Sequence, residues 1–490
     1  VDPLTQHNAL VTRRELFGRT AVGIGTAALA SLLDADGLAA ADEPRRSGPQ
    51  GGLPGFPHFA PRAKRVIYLF MNGAPTHVDL FDYKPKLKRL HGQPIPQDYV
   101  EGKRFSTMTG DPKGKVVLAP VEPFKQRGKC GAWVSELMPH TAKSVDDLCF
   151  IKSMHTEAVN HSPGITFMLT GSEMAGRPSM GAWLTYGLGS MADDLPGFVV
   201  MTSVSKDTTC GQIFYDYYWG SGFLPSRLQG VKFRGGGDPV LYLNNPDGMS
   251  RAVRRGLLDD LARLNQWQLD QFHDPEIATR IAQYEMAYKM QASVPELTDL
   301  SGEPAHILET YGPQVKERGT FAHNCLMARR LVERGVRFVQ VMHAGWDQHS
   351  SLTTELYTQC RDTDQPSVAL IQDLKQRGLL DDTLVIWGGE FGRTPFLQGD
   401  FDNRSRWGRD HHPYAFTLWM AGGGVKPGMT YGESDDLGMS VVADPVHVHD
   451  LQATILHLLG IDHERLVFKF QGRHYRLTDV HGRLVEGLLA

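Results

Sequence analysis

Six apolar runs constrain this chain more than any other feature: "RVIYLFM" (65–71), "CFIKSM" (149–154), "GFVVMT" (197–202), "RFVQVMH" (337–343), "TLVIWGG" (383–389) and "FTLWMAGG" (416–423). Each is continuous rather than alternating, the pattern of a strand covered on both faces. Between them lie helix-period stretches, notably 250–272, 275–291 and 319–335. Strands alternating with helices predict an α/β protein, a three-layer sandwich around a central, mostly parallel sheet. A stretch from about 202 to 246, with "YDYYWGSGFLPSRLQG", is rich in aromatics and glycine and has no period. It reads as an insertion near the mouth of the site.

Composition removes several classes of function. A formal charge of -4 and a pI near 6.6 give no global attraction to nucleic acid or to an anionic membrane, so any handling of anions is local. The cysteines at 130, 149, 210, 325 and 360 include no C-x-x-C pair and no zinc-ribbon spacing; they read as buried free thiols with at most one bridge. "AGGGVKPG" follows a strand but lacks the G-x-G-x-x-G spacing of a dinucleotide site.

The N-terminus carries "TRRELFGRTAVGIGTAALASLLDADGLAA", in which Arg13-Arg14 precede an Ala/Gly-rich apolar run ending in small residues. The run is short for a membrane span, which needs about 20 apolar residues. It resembles a twin-arginine export signal, with Thr12-Arg13-Arg14-Glu15-Leu16-Phe17 at the recognition motif. The expectation is a signal peptide over 1–40, read by the twin-arginine translocation machinery, a Pro/Gly-rich linker over 41–63, and a single α/β domain over 64–490. The mature chain would be periplasmic or secreted, with no stable membrane span.

In α/β sheets ligands sit beyond the carboxyl ends of the strands, so the residues following each run carry the site. Those residues are polar at four places: Asn72, His77, Asp79 and Asp82 after the first run; His343, Asp347 and His349; Glu390; and Asp410, His411 and His412 ahead of the last. Mixed carboxylate and imidazole is the ligand set of zinc, manganese or a similar divalent ion, whereas calcium wants more oxygens. Taken singly, Asp347/His349 also reads as a capping pair and Asp410-His411-His412 as a solvated loop. Glu390 directly follows a strand and a Gly-Gly pair, where the backbone comes close to something. Arg393, Arg404, Arg406 and Arg409 flank these residues, either to bind an anionic substrate or as a solvated cluster.

The segments "NGAPTHVDLFDYKP", "HAGWDQHS", "GGEFGRTP" and "GRDHHP" resemble the alkaline phosphatase and sulfatase superfamily and, within it, the sulfatase-like bacterial family called domain of unknown function 1501. The resemblance runs from about Lys64 to Leu477. It implies an alkaline phosphatase-like fold with metal ligands Asp347 and His349, Glu390 in place of an Asp, and His411 or His412 as the last histidine. Asn72 stands where the superfamily has a metal-binding Asp, with Asp79 as a nearby substitute, and Phe391 replaces a histidine. "HVHDLQATILHLLGID" looks like the superfamily's closing helix. In "HSPGITFMLTG", Pro163, Thr170 and Gly171 match the sulfatase nucleophile motif, which places His161 at the nucleophile and Gly164-Ile165 where Ser-Arg would be. The formylglycine maturation motif is absent, which excludes that mechanism.

Three readings of the site follow: His161 as ligand or nucleophile, Ser162 as a nucleophile activated by a metal, or attack by water. A helix starting there would add its N-terminal N–H groups as an anion cradle; alternatively, His161-Ser162 only caps that helix. The leading expectation is an exported hydrolase of sulfate or phosphate esters, on a small molecule or carbohydrate, using one or two divalent ions (zinc, manganese or calcium). Catalysis would fall to His161 and Ser162, anion binding to Arg393 and Arg409, and metal binding to Asn72, Asp79, Asp347, His349, Glu390, His411 and His412. The rival is an exported binding or assembly protein that kept the fold and lost the chemistry.

Overall fold

A computed structural model of the protein describes residues 51–490 apart from 207–213, 241–242 and 247. The expected export signal, the first half of the linker and Cys210 lie outside the described residues.

All six apolar runs are strands of one sheet. The sheet's strands are β1 (Arg65–Asn72), β2 (Cys149–His155), β3 (Phe198–Val204), β4 (Val231–Phe233), β5 (Phe338–Ala344), β6 (Thr383–Gly388), β7 (Phe416–Ala421), β8 (Met429–Tyr431) and β9 (Val446–His447). Their spatial order is β8-β2-β7-β6-β1-β5-β3-β4, with β9 beside the end of β2. From β6 through β1, β5 and β3 to β4 every pairing is parallel, and β7 alone runs antiparallel to its neighbours β6 and β2. The sheet is therefore mixed and mostly parallel.

The continuous apolar runs are explained by what lies on each face. Along β1, Ile67, Leu69 and Met71 enter one hydrophobic core and Val66, Tyr68 and Phe70 the other, all of them fully buried. Successive side chains of a strand point to opposite faces, so a strand buried on both has no polar position to spare. The first core is covered by α5 (Phe321–Glu333) and α6 (Leu352–Gln376), the second by α1 (His161–Thr170), α2 (Met180–Leu188) and α7 (Val448–Leu458). Three layers result. The described residues between 205 and 246 are irregular except for short turns and β4, which extends the sheet's edge.

Two glycines permit the strand ends to converge. Gly73, at φ +105°, has no room for a side chain because a Cβ would lie 2.6 Å from the Asp347 nitrogen. At Gly389 a Cβ would lie 2.7 Å from the Met71 carbonyl oxygen, which is the close approach expected of the Gly-Gly pair before Glu390.

Among the described residues Cys149, Cys325 and Cys360 are buried free thiols and Cys130 is exposed. In the native protein iodoacetamide is expected to label Cys130 and to spare those three until denaturant is added; peptide mass mapping reads the result.

Candidate metal centre

The carboxyl ends of β1, β5 and β6 lie side by side, with Asn72 paired in register to Ala344, and the site is built on them. Asp347 and His349 occupy the loop after β5. His411 sits on a two-residue antiparallel ladder opposite Arg393, just beyond β6. His161 is the first residue of α1, whose cap residue Asn160 makes no side-chain capping bond. His161 does not cap the helix; it points into the acids of the other segments.

One oxygen is the focus. Asp347 Oδ1 lies 2.8 Å from His349 Nε2, 2.9 Å from His161 Nε2, 3.4 Å from His411 Nε2 and 2.6 Å from Arg393 Nη2. The two Nε2 atoms of His349 and His411 are themselves 3.0 Å apart. One donor atom from each of His161, Asp347, His349 and His411 lies within 4.8 Å of all the others, so the four form a group that could hold a metal ion.

The imidazole tautomers show why a cation suits this place. His411 Nδ1 donates to the Val159 carbonyl at 2.8 Å, and His349 Nδ1 lies 2.6 Å from Gln398 Oε1. With both Nδ1 atoms protonated, both Nε2 lone pairs face Asp347 Oδ1, making a triangle of acceptors with no proton among them. A divalent ion could bond all three at once. Donors about 2.1 Å from a tetrahedral zinc stand roughly 3.4 Å from one another, close to the spacings seen here. Fixing a ring through its other nitrogen is also how metal-binding histidines are held.

Electrostatics agree. Burial raises the Asp347 pKa, but the Arg393 charge, with the contact from His161, outweighs it and holds the carboxyl far below its usual range. Burial, aided by Arg393 and His161 and partly offset by Asp347, brings His411 down to about 4, so the ring is neutral at pH 7, the form that ligates. For His161, burial lowers the pKa, but hydrogen bonds to Asp347 and Glu390 more than compensate and raise it above the ordinary value.

Glu390 is fully buried; its Oε1 takes the Gly73 N–H at 3.0 Å and His161 Nδ1 at 2.5 Å, while Oε2 has no hydrogen-bond partner. Asn72, also fully buried, has neither amide atom hydrogen-bonded. Buried polar atoms left unpaired at a strand end are the usual mark of an absent ion or water.

Several expected residues are committed elsewhere. Asp79 accepts from Arg409 Nε (2.6 Å) and Nη2 (3.2 Å), from Thr76 Oγ1 (2.6 Å) and from the Val121 N–H (2.9 Å), which leaves no lone pair for a metal. Arg409 is fully buried by that pairing and by the Leu118, Ala119 and Thr394 carbonyls, so it does not face a substrate. Arg393 is likewise 1% exposed; it holds Asp347 and donates to the carbonyls of Gly73, Ala74 and Arg409. It positions a ligand instead of receiving an anion. His412 points away from His411 across the ladder, with Nε2 2.6 Å from the Met439 carbonyl, and burial pushes it down to about 3. Arg404 and Arg406 stand in an exposed turn.

Ser162 Oγ is 2.9 Å from the Tyr217 hydroxyl, and Tyr218 also interacts with both groups. These tyrosines belong to the irregular stretch, whose aromatic run was the only sequence sign of them. Asp410 accepts from Ser106, Thr109 and the His411 N–H and so anchors the ladder.

The fold and centre define an α/β protein with a metal-capable histidine and aspartate cluster at the carboxyl edge of its sheet. The chain belongs to the family described as protein of unknown function (DUF1501), which matches residues 63–489. No curated protein matches it. Among solved structures the chain is similar to an alkaline phosphatase from the Antarctic bacterium TAB5 at 10% identity and a TM-score of 0.31, covering 82% of this chain and 99% of that one. It is also similar to a sulfatase from Pseudoalteromonas sp. at 12% identity and a TM-score of 0.34, covering 82% and 68%. A lipoteichoic acid synthase from Listeria monocytogenes matches at 10% identity and a TM-score of 0.33, covering 82% and 73%. What the centre can do is set by its own geometry.

Proposed function

We propose that the protein is a metal-dependent hydrolase of sulfate or phosphate esters that uses neither formylglycine nor Ser162 as its nucleophile. The observation that supports this most is the triangle of acceptors formed by Asp347, His349 and His411, which suits a divalent ion such as zinc or manganese. Those three residues, with His161, would hold it; Glu390 Oε2 and Asn72 are the groups available to a second ion. The bound metal would supply positive charge to the oxygens of the transferring group and would acidify the attacking water.

The chain's own residues do the rest. Gln398 and Val159 fix the two imidazoles, and Arg393 fixes Asp347. His161 lies between Asp347 and Glu390, and the contact of its Nδ1 with Glu390 Oε1 would leave Nε2 turned toward the ion. A nucleophilic serine needs a base or a metal to activate it; the partner of Ser162 Oγ is the Tyr217 hydroxyl, and Ser162 is not among the four residues of the cluster, so water is the attacking group in this reading. Ser162 and Tyr217, both half-buried and backed by the buried Tyr218, then offer a pair of hydroxyls beside the centre, suited to a polar organic group such as a sugar. Export by the twin-arginine pathway to the periplasm or beyond is part of the same proposal, because "TRRELF" fits that signal.

Turnover of 4-nitrophenyl sulfate, 4-nitrophenyl phosphate and sugar sulfates by metal-loaded protein is the test. Chelator-sensitive release of product is expected, and Ser162→Ala should keep the rate within about tenfold of wild type. Turnover untouched by chelator would contradict the metal, and loss of all turnover in Ser162→Ala would contradict attack by water.

A further inference from the structure

α3 (Arg251–Phe272) and α4 (Pro275–Thr298), which contribute no residue to the centre, form a helical hairpin. α3 turns one side toward α4, where Arg255 pairs with Glu285 at 2.5 Å and lies with Arg251 over the Tyr288 ring. A different side faces solvent and is apolar: Val253, Leu257, Leu261, Leu264 and Trp267 are 40–58% exposed, and Phe272 is 70% exposed. At 100° per residue the first five fall within about a third of the helix circumference. Single exposed apolar residues are ordinary, but a contiguous stripe of this kind marks a surface that is covered in use.

We infer that this stripe is the interface of a homodimer, in which α3 packs antiparallel against α3 of a second copy of this chain. Charge selects that occupant. Asp260 is the one charged residue inside the stripe, and Arg263 stands at its rim; both are largely exposed, and within the chain they meet only loosely, at 3.7 Å. With a two-fold axis between Leu261 and Ala262, antiparallel pairing sets Asp260 of each copy against Arg263 of the other. The same axis brings Trp267 over Gly256, where an added Cβ would touch nothing within 4 Å. An isologous contact requires this self-complementarity, because one patch must serve both partners.

A lipid surface fits less well. An amphipathic helix that lies on lipid carries free Lys and Arg on its polar face, whereas α3 has no lysine, its Arg254 and Arg255 are bonded to Asn245 and Glu285, and Asp260 interrupts its apolar face.

Sedimentation equilibrium of the full chain, up to high micromolar concentration, tests the inference. Wild type should be a dimer, and Leu257→Glu/Leu264→Glu a monomer with unchanged circular dichroism. Asp260→Arg should weaken the dimer by roughly tenfold or more, and adding Arg263→Asp should restore it. A monomeric wild type, a dimer that survives Leu257→Glu/Leu264→Glu, or binding of the wild-type monomer to anionic phosphatidylserine vesicles would overturn it.

Discussion

Asp347→Asn is expected to weaken the binding of a divalent ion by roughly 100-fold or more, since losing a partner one shell further out already costs 10- to 100-fold. Asp347 Oδ1 lies within 3.4 Å of three imidazole nitrogens and 2.6 Å from Arg393, so it is the one atom shared by every member of the cluster. Asn keeps the shape and removes the charge. The fold should survive, because Arg393 retains its bonds to the carbonyls of Ala74 and Arg409. Titration calorimetry of the metal-free protein with zinc and with manganese reads the affinity, and a urea transition checks the fold. Equal affinities in wild type and variant would show that these residues are not the ligand set.

The second large effect is on stability. Asp79→Ala is expected to cost about 3–5 kcal/mol, the usual penalty for leaving one member of a buried ion pair uncompensated. Arg409 is fully buried, and its remaining partners are neutral carbonyls. Replacing both members, as Asp79→Leu/Arg409→Met, should cost much less than Asp79→Ala alone, because no buried charge is then left unpaired. Urea denaturation of the three proteins measures this. A loss below about 1 kcal/mol for Asp79→Ala, the size expected of an exposed pair, would mean that Arg409 finds solvent and that the pairing does not hold the loop.

The same pair shows where sequence reading stops. The apolar runs located six strands within a few residues because burial on both faces leaves a local signal that needs no partner. That Asp79 meets Arg409 across 330 positions is a tertiary fact with no local trace. Both residues therefore read as site groups, when each neutralises the other. His411 and His412 were indistinguishable by composition. Their place on a two-residue ladder decides between them, since alternate side chains of a strand face opposite ways and only one can reach Asp347.

His161 stood out in the sequence as a reactive side chain ahead of an apolar run, and the resemblance put it at a nucleophile position; the structure sets it between Asp347 and Glu390. Glu390 drew notice for its Gly-Gly pair, and the physical reason is the near contact of Gly388 with Leu418 and of Gly389 with Met71. Gln398 and Val159, which set the tautomers of the two ligand rings, carry no sequence signal, because a glutamine side chain and a main-chain carbonyl look the same in any loop.

Metal binding by this cluster is the property on which the proposed chemistry rests. Elemental analysis of protein purified without chelator, for wild type and for His349→Ala, tests it most directly. At least one divalent ion per wild-type chain is expected, and its loss from His349→Ala. If both proteins are metal-free and neither takes up added zinc, manganese or calcium, the centre is not a metal site and the hydrolase reading falls with it.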